Sequence, residues 1–183
     1  MAWPIDPADM PEPLAPWRQS SRVAGNKTRQ GRAGRMMRYF DDFELGEQWP
    51  IGETYTMTKD EIVSFAAKWD PQPFHVDEAA AEKSVYGTLT ACGTHIQAVV
   101  LKLAQGLPHE TAVIGALGYD EVRFHQAAKL DDVLSLTIEC IETRPSSSKP
   151  DRGIVRNRHT LVNQAGDTVF TQTTTLLIAR RGG

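Results

Sequence analysis

Ile96, Val99, Val100, Leu103 and Leu107 recur at three- and four-residue intervals, between Gly93 and the Gly106…Pro108 stop. That spacing puts an apolar stripe on one face of a helix from about Gly93 to Gln105. It is the only long apolar helix in the chain, so it must be buried by the rest of the fold. Beyond Pro108 the pattern turns to β: Ala112–Leu117, Glu121–Phe124, Val133–Glu142, Ile154–Asn163 and Thr168–Ala179. The last shows period-two alternation, with Val169, Thr171, Thr173 and Thr175 opposed to Phe170, Gln172 and Thr174. Asn163 to Asp167, with Gly166, reads as a hairpin turn, and Arg144 to Gly153 as an exposed connection. One buried helix succeeded by a meander predicts an α+β domain in which an antiparallel sheet wraps the helix.

Ahead of that helix, Trp49 to Met57 reads as a strand. Thr58-Lys59-Asp60-Glu61 makes a capping box for a helix whose apolar face is Ile62, Val63, Phe65, Ala66 and Trp69. That helix stops at Asp70, because a residue before proline is pushed out of the α region. A short helix comes next, with Asp77 as N-cap and Ala79–Ala81 as formers, ending near Gly87. Trp49 and Trp69 are expected to anchor the core.

The first 38 residues differ. Five prolines lie between Pro4 and Pro16, and every charged residue from Trp17 to Arg38 is basic. Residues 1–38 are therefore expected to form a solvated tail, or to precede a start at Met36 or Met37. A transit peptide or an anionic-surface contact is the alternative. The folded domain is expected over residues 39–183.

Composition removes whole classes of function. The chain has 183 residues, 20 Lys+Arg against 23 Asp+Glu and a net charge of −3, which argues against a nucleic-acid binder. No apolar run approaches the roughly 18 residues needed to span a bilayer, and no signal-peptide apolar region exists. Cys92 and Cys140 alone, without a CxxC, support neither a disulfide framework nor a structural zinc site. A cytoplasmic protein is expected.

The segment Asp70-Pro71-Gln72-Pro73-Phe74-His75-Val76-Asp77 is the candidate for chemistry. Two prolines stiffen it, and a carboxylate and an imidazole five residues apart can act as an acid/base pair. The competing reading is structural, with Asp70 turning the chain and His75 packing. Two other chemistries draw on the same region. Cys92, at a helix N-terminus with His95 a turn away, could be a nucleophile or a small packed residue. His75, Asp77 and His95 could be metal ligands, although no close-spaced His/Cys pair supports that, and no metal is expected. His109, His125 and His159 are expected to be surface or sheet residues.

The order Asp-x-x-Pro-x-His-x-Asp, a small helix, and a glycine opening a long apolar helix resembles the MaoC-like dehydratases, relatives of the (R)-specific enoyl-CoA hydratases. Tyr39–Gly46, Ala91–His95, Asp120–Phe124 and Arg144–Val155 extend the likeness, which runs from Tyr39 to about Arg180. The resemblance implies the hot-dog fold, an antiparallel sheet around a long central helix. It implies reversible hydration of a 2-enoyl thioester to a 3-hydroxyacyl thioester by a hydro-lyase. In these roles Asp70 and His75 are the acid/base pair, and the Gly93 N–H holds the thioester oxygen. Gln72, Pro73, Cys92 and Thr94 are then substrate-binding neighbours. The family commonly has Asn where Gln72 stands, His where Cys92 stands and, in short hydratases, Ser where Leu101 stands. An acyl-CoA is then the substrate, no separate cofactor is needed, and neither nucleic acid nor membrane is a partner. A homodimer or larger homo-oligomer is expected, since a single sheet leaves its edge strands open. Lys149, Arg152, Arg156 and Arg158 could meet coenzyme A phosphates or simply line a solvated edge. The alternatives to a hydratase are a hot-dog thioesterase and a non-catalytic acyl-CoA-binding protein.

Overall fold

A computed structural model describes residues 35–182. Five strands form one antiparallel sheet: β2 (Gln48–Thr56), β4 (Val113–Phe124), β5 (Val133–Pro145), β6 (Arg152–Val162) and β7 (Thr168–Ala179), in the order β2-β5-β6-β7-β4. Between β2 and β4 run the helices α1 (Lys59–Trp69), α2 (Pro73–Val76), α3 (Glu78–Glu82) and α4 (Gly93–Ala104). The molecule is thus the α+β hot-dog arrangement, with α4 as the enclosed helix.

The sequence pattern accounts for the enclosure. Ile96, Val99, Val100 and Leu103 of α4 are 0–3 % exposed, and alternate residues of β5 (Leu134, Leu136, Ile138, Cys140) are 0–2 % exposed. Each such aliphatic side chain removed from water contributes about 1.5–3 kcal/mol, so this helix-on-sheet contact dominates the core. Leu161 of β6, Phe170 and Ile178 of β7, and Ile62 of α1 complete it. Thr58 caps α1 by accepting from the Glu61 N–H. The Glu61 carboxylate is not returned to the Thr58 amide as a full capping box would have it; its Oε1 accepts from Tyr55 Oη at 2.8 Å. The Asn163–Asp167 turn closes as expected, with Asn163 Oδ1 accepting from the Ala165 and Asp167 amides at 3.0 Å and Gly166 at φ +84°.

Five expectations are corrected. The stretches 112–117 and 121–124 are one strand, β4, carried past its turn-like centre by register shifts, one of them between Asp120 and Arg123, with Glu121 at φ +52°. A bulge absorbs the extra residue and lets the pairing resume. The Arg144–Gly153 connection is shorter than its polarity suggested, because β5 runs on to Pro145 and β6 starts at Arg152. Trp69 is not a core anchor but 64 % exposed, whereas Trp49 is buried. His109 is neither on the surface nor in the sheet but buried, its ring edge-on to Phe43 and Trp49, while His159 is the sheet residue expected, buried on β6. Desolvation pushes both imidazoles down to about 4.

The fifth concerns the N-terminal boundary. Residues 1–34 of the expected tail lie outside the described residues, but 35–38 belong to the fold. β1 (Met37–Arg38) pairs in parallel with β3 (Glu110–Thr111). Arg38 grips Glu47 with two nitrogens at 2.7–2.8 Å and lies over the Phe43 and Trp49 rings. A single 3-10 turn, Phe40–Asp42, then sets the Phe40 ring on Gly153, where only a glycine leaves room: a Cβ there would stand 2.3 Å from the ring.

Candidate active site

Asp70 is the C-cap of α1, its N–H bonded to the Ala66 carbonyl at 2.8 Å. The stretch beyond it is not an open loop. Pro73, its φ already suited to a first helical position, starts the single turn α2, which carries His75. The turn folds back so that His75 Nε2 lies 3.8 Å from Asp70 Oδ2. The imidazole is buried and the carboxylate is partly open to solvent.

The other ring nitrogen decides the tautomer. His75 Nδ1 is 2.5 Å from the Thr90 carbonyl oxygen, an atom that only accepts, so Nδ1 carries the proton. In the neutral ring Nε2 therefore presents a lone pair toward Asp70 and the solvent-open side. The Phe74 ring, edge-on to the imidazole at 4.5 Å, helps hold its plane. Thr90 also ties the pair to the buried helix: its N–H donates to the Phe74 carbonyl at 3.3 Å. Gly93 comes three residues later, within about 11 Å of chain reach.

Gly93 is the first residue of α4, and the N-cap, Cys92, offers no side-chain hydrogen bond to that turn. The first amides of a helix have no intrahelical acceptor and sit at the positive end of its dipole, so this turn can receive an anionic oxygen. The Phe124 ring covers Gly93; an added Cβ would come within 2.8 Å of its Cζ. Phe124 in turn packs on Phe170 at 5.1 Å.

The remaining expected neighbours fall into place unevenly. Gln72 is the exposed N-cap of α2, and Pro73 its exposed first residue. Thr94 is exposed on the first turn of α4, and Cys92 is buried with Sγ 3.5 Å from Thr94 Oγ1. His95 does not approach that thiol as a base would. It stacks on Phe65 with centroids 4.5 Å apart, which leaves Cys92 the packed residue. Nor do His75, Asp77 and His95 converge: Asp77 caps α3 through the Ala80 N–H, and no group of three or more potential ligands occurs among the described residues. The basic run on β6 is spent internally. Arg152 forks onto Asp151, Arg156 meets Glu142 and Asp120, and Arg158 meets Glu139. Two contributors were missed: Thr90, which no local pattern could tie to a histidine fifteen residues earlier, and Phe124, present in the Asp120–Phe124 motif but without an assigned place.

A family model for the MaoC-like domain matches residues 43–163. This chain belongs to the MaoC-like dehydratase family. Among solved structures, it is similar to a MaoC-like dehydratase from Rhodospirillum rubrum. The TM-score is 0.73 at 29 % identity, covering 79 % of this chain and 99 % of that one. It is also similar to the (R)-hydratase PhaJ1 of Pseudomonas aeruginosa, with a TM-score of 0.63 and 26 % identity over 78 % of this chain and 86 % of that one. Mesaconyl-CoA hydratase of Haloarcula hispanica is 41 % identical over 71 residues, covering 36 % of this chain and 18 % of that protein. The chain thus spans less than a fifth of that relative's length. Membership of the family, with hydratases among its relatives, makes a hydro-lyase the chemistry to test. No helix of the described residues is long and apolar enough to cross a membrane.

Proposed function

We propose that this protein reversibly adds water across the double bond of a 2-enoyl thioester, giving a 3-hydroxyacyl thioester. The observation that carries the reading is the imidazole held by the Thr90 carbonyl, with its free nitrogen toward Asp70. In hydration, the His75–Asp70 pair takes a proton from water as its oxygen bonds to C3. The double-bond electrons shift toward the thioester oxygen, which the Gly93 end of α4 stabilises as an enolate. A proton returned to C2 by the pair completes the addition, and dehydration retraces the same steps. Water and the double bond supply every atom of the product, so the reading invokes no cofactor beyond the thioester's own carrier. The 3.8 Å separation suits a pair that shares its proton through the reacting water; such contacts tighten when substrate binds.

Assembly and location belong to the same proposal. The sheet ends in β2 on one side and β4 on the other, and β4 exposes Val113, Ile114, Tyr119 and Phe124. A second copy joined along β4 would cover them and bring its surface beside Phe124 and Gly93, so a homodimer is proposed. The cytoplasm, where acyl thioesters are made and used, is the proposed location.

The test follows the enoyl absorbance of crotonyl-CoA and, in parallel, free thiol. Loss of the enoyl band without thiol supports a hydratase, and thiol release would replace it by a thioesterase. Neither change across a panel of acyl lengths would leave only binding.

A further inference from the structure

Between α1 and α4, and closed at one side by Tyr55 of β2, lies a cleft of about 390 Å³ that contains none of Asp70, His75 and Gly93. Small-molecule sites run from about 300 to 1,000 Å³, and an apolar cavity of about 150 Å³ already admits a benzene ring. The cleft therefore has room for two fused rings and a small polar group. Its walls suit such rings. Tyr55, Phe65, Trp69 and His95 all line it, the Phe65 and His95 rings stacked 4.5 Å apart with planes 5° from parallel. Trp69 stands exposed at the rim.

The polar groups of the cleft select the charge of its ligand. Each Glu61 oxygen already accepts a hydrogen bond, Oε1 from Tyr55 Oη at 2.8 Å and Oε2 from Thr58 Oγ1 at 3.1 Å. Burial, reinforced by that bond, pushes the Tyr55 hydroxyl up to about 12, so it stays a neutral donor committed to Glu61. His95 is only 4 % exposed, and its Nδ1 has no hydrogen-bond partner. Burial holds this imidazole below its ordinary range, so it adds polarity without charge. Lys68 and Lys102 line the same cleft, and neither forms an ion pair among the described residues, Lys68 resting over the Trp69 ring instead. They differ in this from Arg152, Arg156 and Arg158, each already facing a carboxylate. The lining thus carries two positive charges and one negative, an excess that one monoanion cancels. Aromatic walls beside two ammonium groups without counter-charges match a single carboxylate carried on a flat apolar body.

We propose that the α1–α4 cleft is a second ligand site, separate from the acid/base pair, that binds an aromatic carboxylate. The ring system lies against the aromatic wall, and the carboxylate meets Lys68 and Lys102. Nothing in this site depends on the hydratase reading.

The experiment titrates 2-naphthoate into the full chain by calorimetry. Saturable binding is expected, weakened about tenfold in the Lys68→Ala/Lys102→Ala variant, the scale of two partly exposed ion pairs. Ala98→Trp fills the cleft from α4 without altering its charges and is expected to weaken binding at least as much. All three positions are exposed, where substitutions leave a fold nearly unchanged. The neutral 2-naphthamide is expected to bind about tenfold less tightly than 2-naphthoate, and acetate, which has the charge without the rings, less tightly still. His75→Ala is expected to bind 2-naphthoate as the unaltered protein does. No binding to the unaltered protein, or undiminished binding by either cleft variant, would overturn the proposal. So would amide or acetate binding as tightly as 2-naphthoate, or lost binding in His75→Ala, which would move the acid to the acid/base pair.

Discussion

His75 Nε2 lies 3.8 Å from Asp70 Oδ2 while Nδ1 of the same ring is 2.5 Å from the Thr90 carbonyl oxygen. One nitrogen is committed to the backbone and the other is left for chemistry. Asp70→Asn and His75→Ala are each expected to lower hydration of crotonyl-CoA at least about 10²-fold, the scale of general acid–base contributions. Circular dichroism must show both variants folded; near-normal turnover in both would remove the assignment.

Two glycines separate function from packing. Gly153→Ala drives a methyl into the buried Phe40 ring and is expected to cost about 1–3 kcal/mol, the range for overpacking. Gly93→Ala meets the Phe124 ring edge, which is half-exposed and can swing away. Its cost in thermal stability is expected to be smaller, and its effect on turnover larger. Reversal of that order in melting and rate measurements would contradict the placement of Gly93 at the site.

Acid should destabilise the fold through its buried histidines. His109 and His159 have folded values of about 4 against an ordinary 6.5, both from burial. The unfolded chain therefore binds more protons between those values, so stability is full above pH 6.5 and falls as the pH drops toward 4. Glu47, held low by its hydrogen bonds from Arg38, adds a loss of the same sign at lower pH. His159→Leu removes one contributor. Its Tm is expected to fall less than that of the unaltered protein between about pH 7 and pH 4.5; parallel curves would show that His159 is not a buried neutral ring.

The open β4 edge predicts the assembly. The mass in solution is expected to be twice the 20.3 kDa of one chain. Ile114→Lys, on that edge, is expected to shift it toward one, because a buried unpaired ammonium is costly. A monomeric unaltered protein would refute the proposed dimer.

The features legible in the sequence were those whose cause is local. The stripe on α4, the Thr58 cap and the Asn163–Asp167 turn each arise from neighbours in the chain, whereas β7 buries Val169 and Thr173 as well as Phe170 and Gln172, against the one-sided alternation expected of it. The misses were set by distant partners. Trp69 looks like a core residue until α1 is docked and its last turn faces the α1–α4 cleft. His109, between Pro108 and Glu110, looks exposed, yet its ring packs edge-on against Phe43 and Trp49 from far back in the chain. Gly118 to Asp120 look like a break, but pairing with Thr173–Thr175 of β7 carries β4 across them. At the site the spacing of Asp70 and His75 was readable, whereas the hydrogen bond that sets the tautomer was not, because its acceptor belongs to no side chain.

A main-chain acceptor also makes the site tolerant of change. A peptide oxygen is common to all twenty residue types, so substitution at position 90 cannot delete the atom that orients the imidazole. Mutational drift there would leave the ring's proton where it is, and only a displaced main chain could move it.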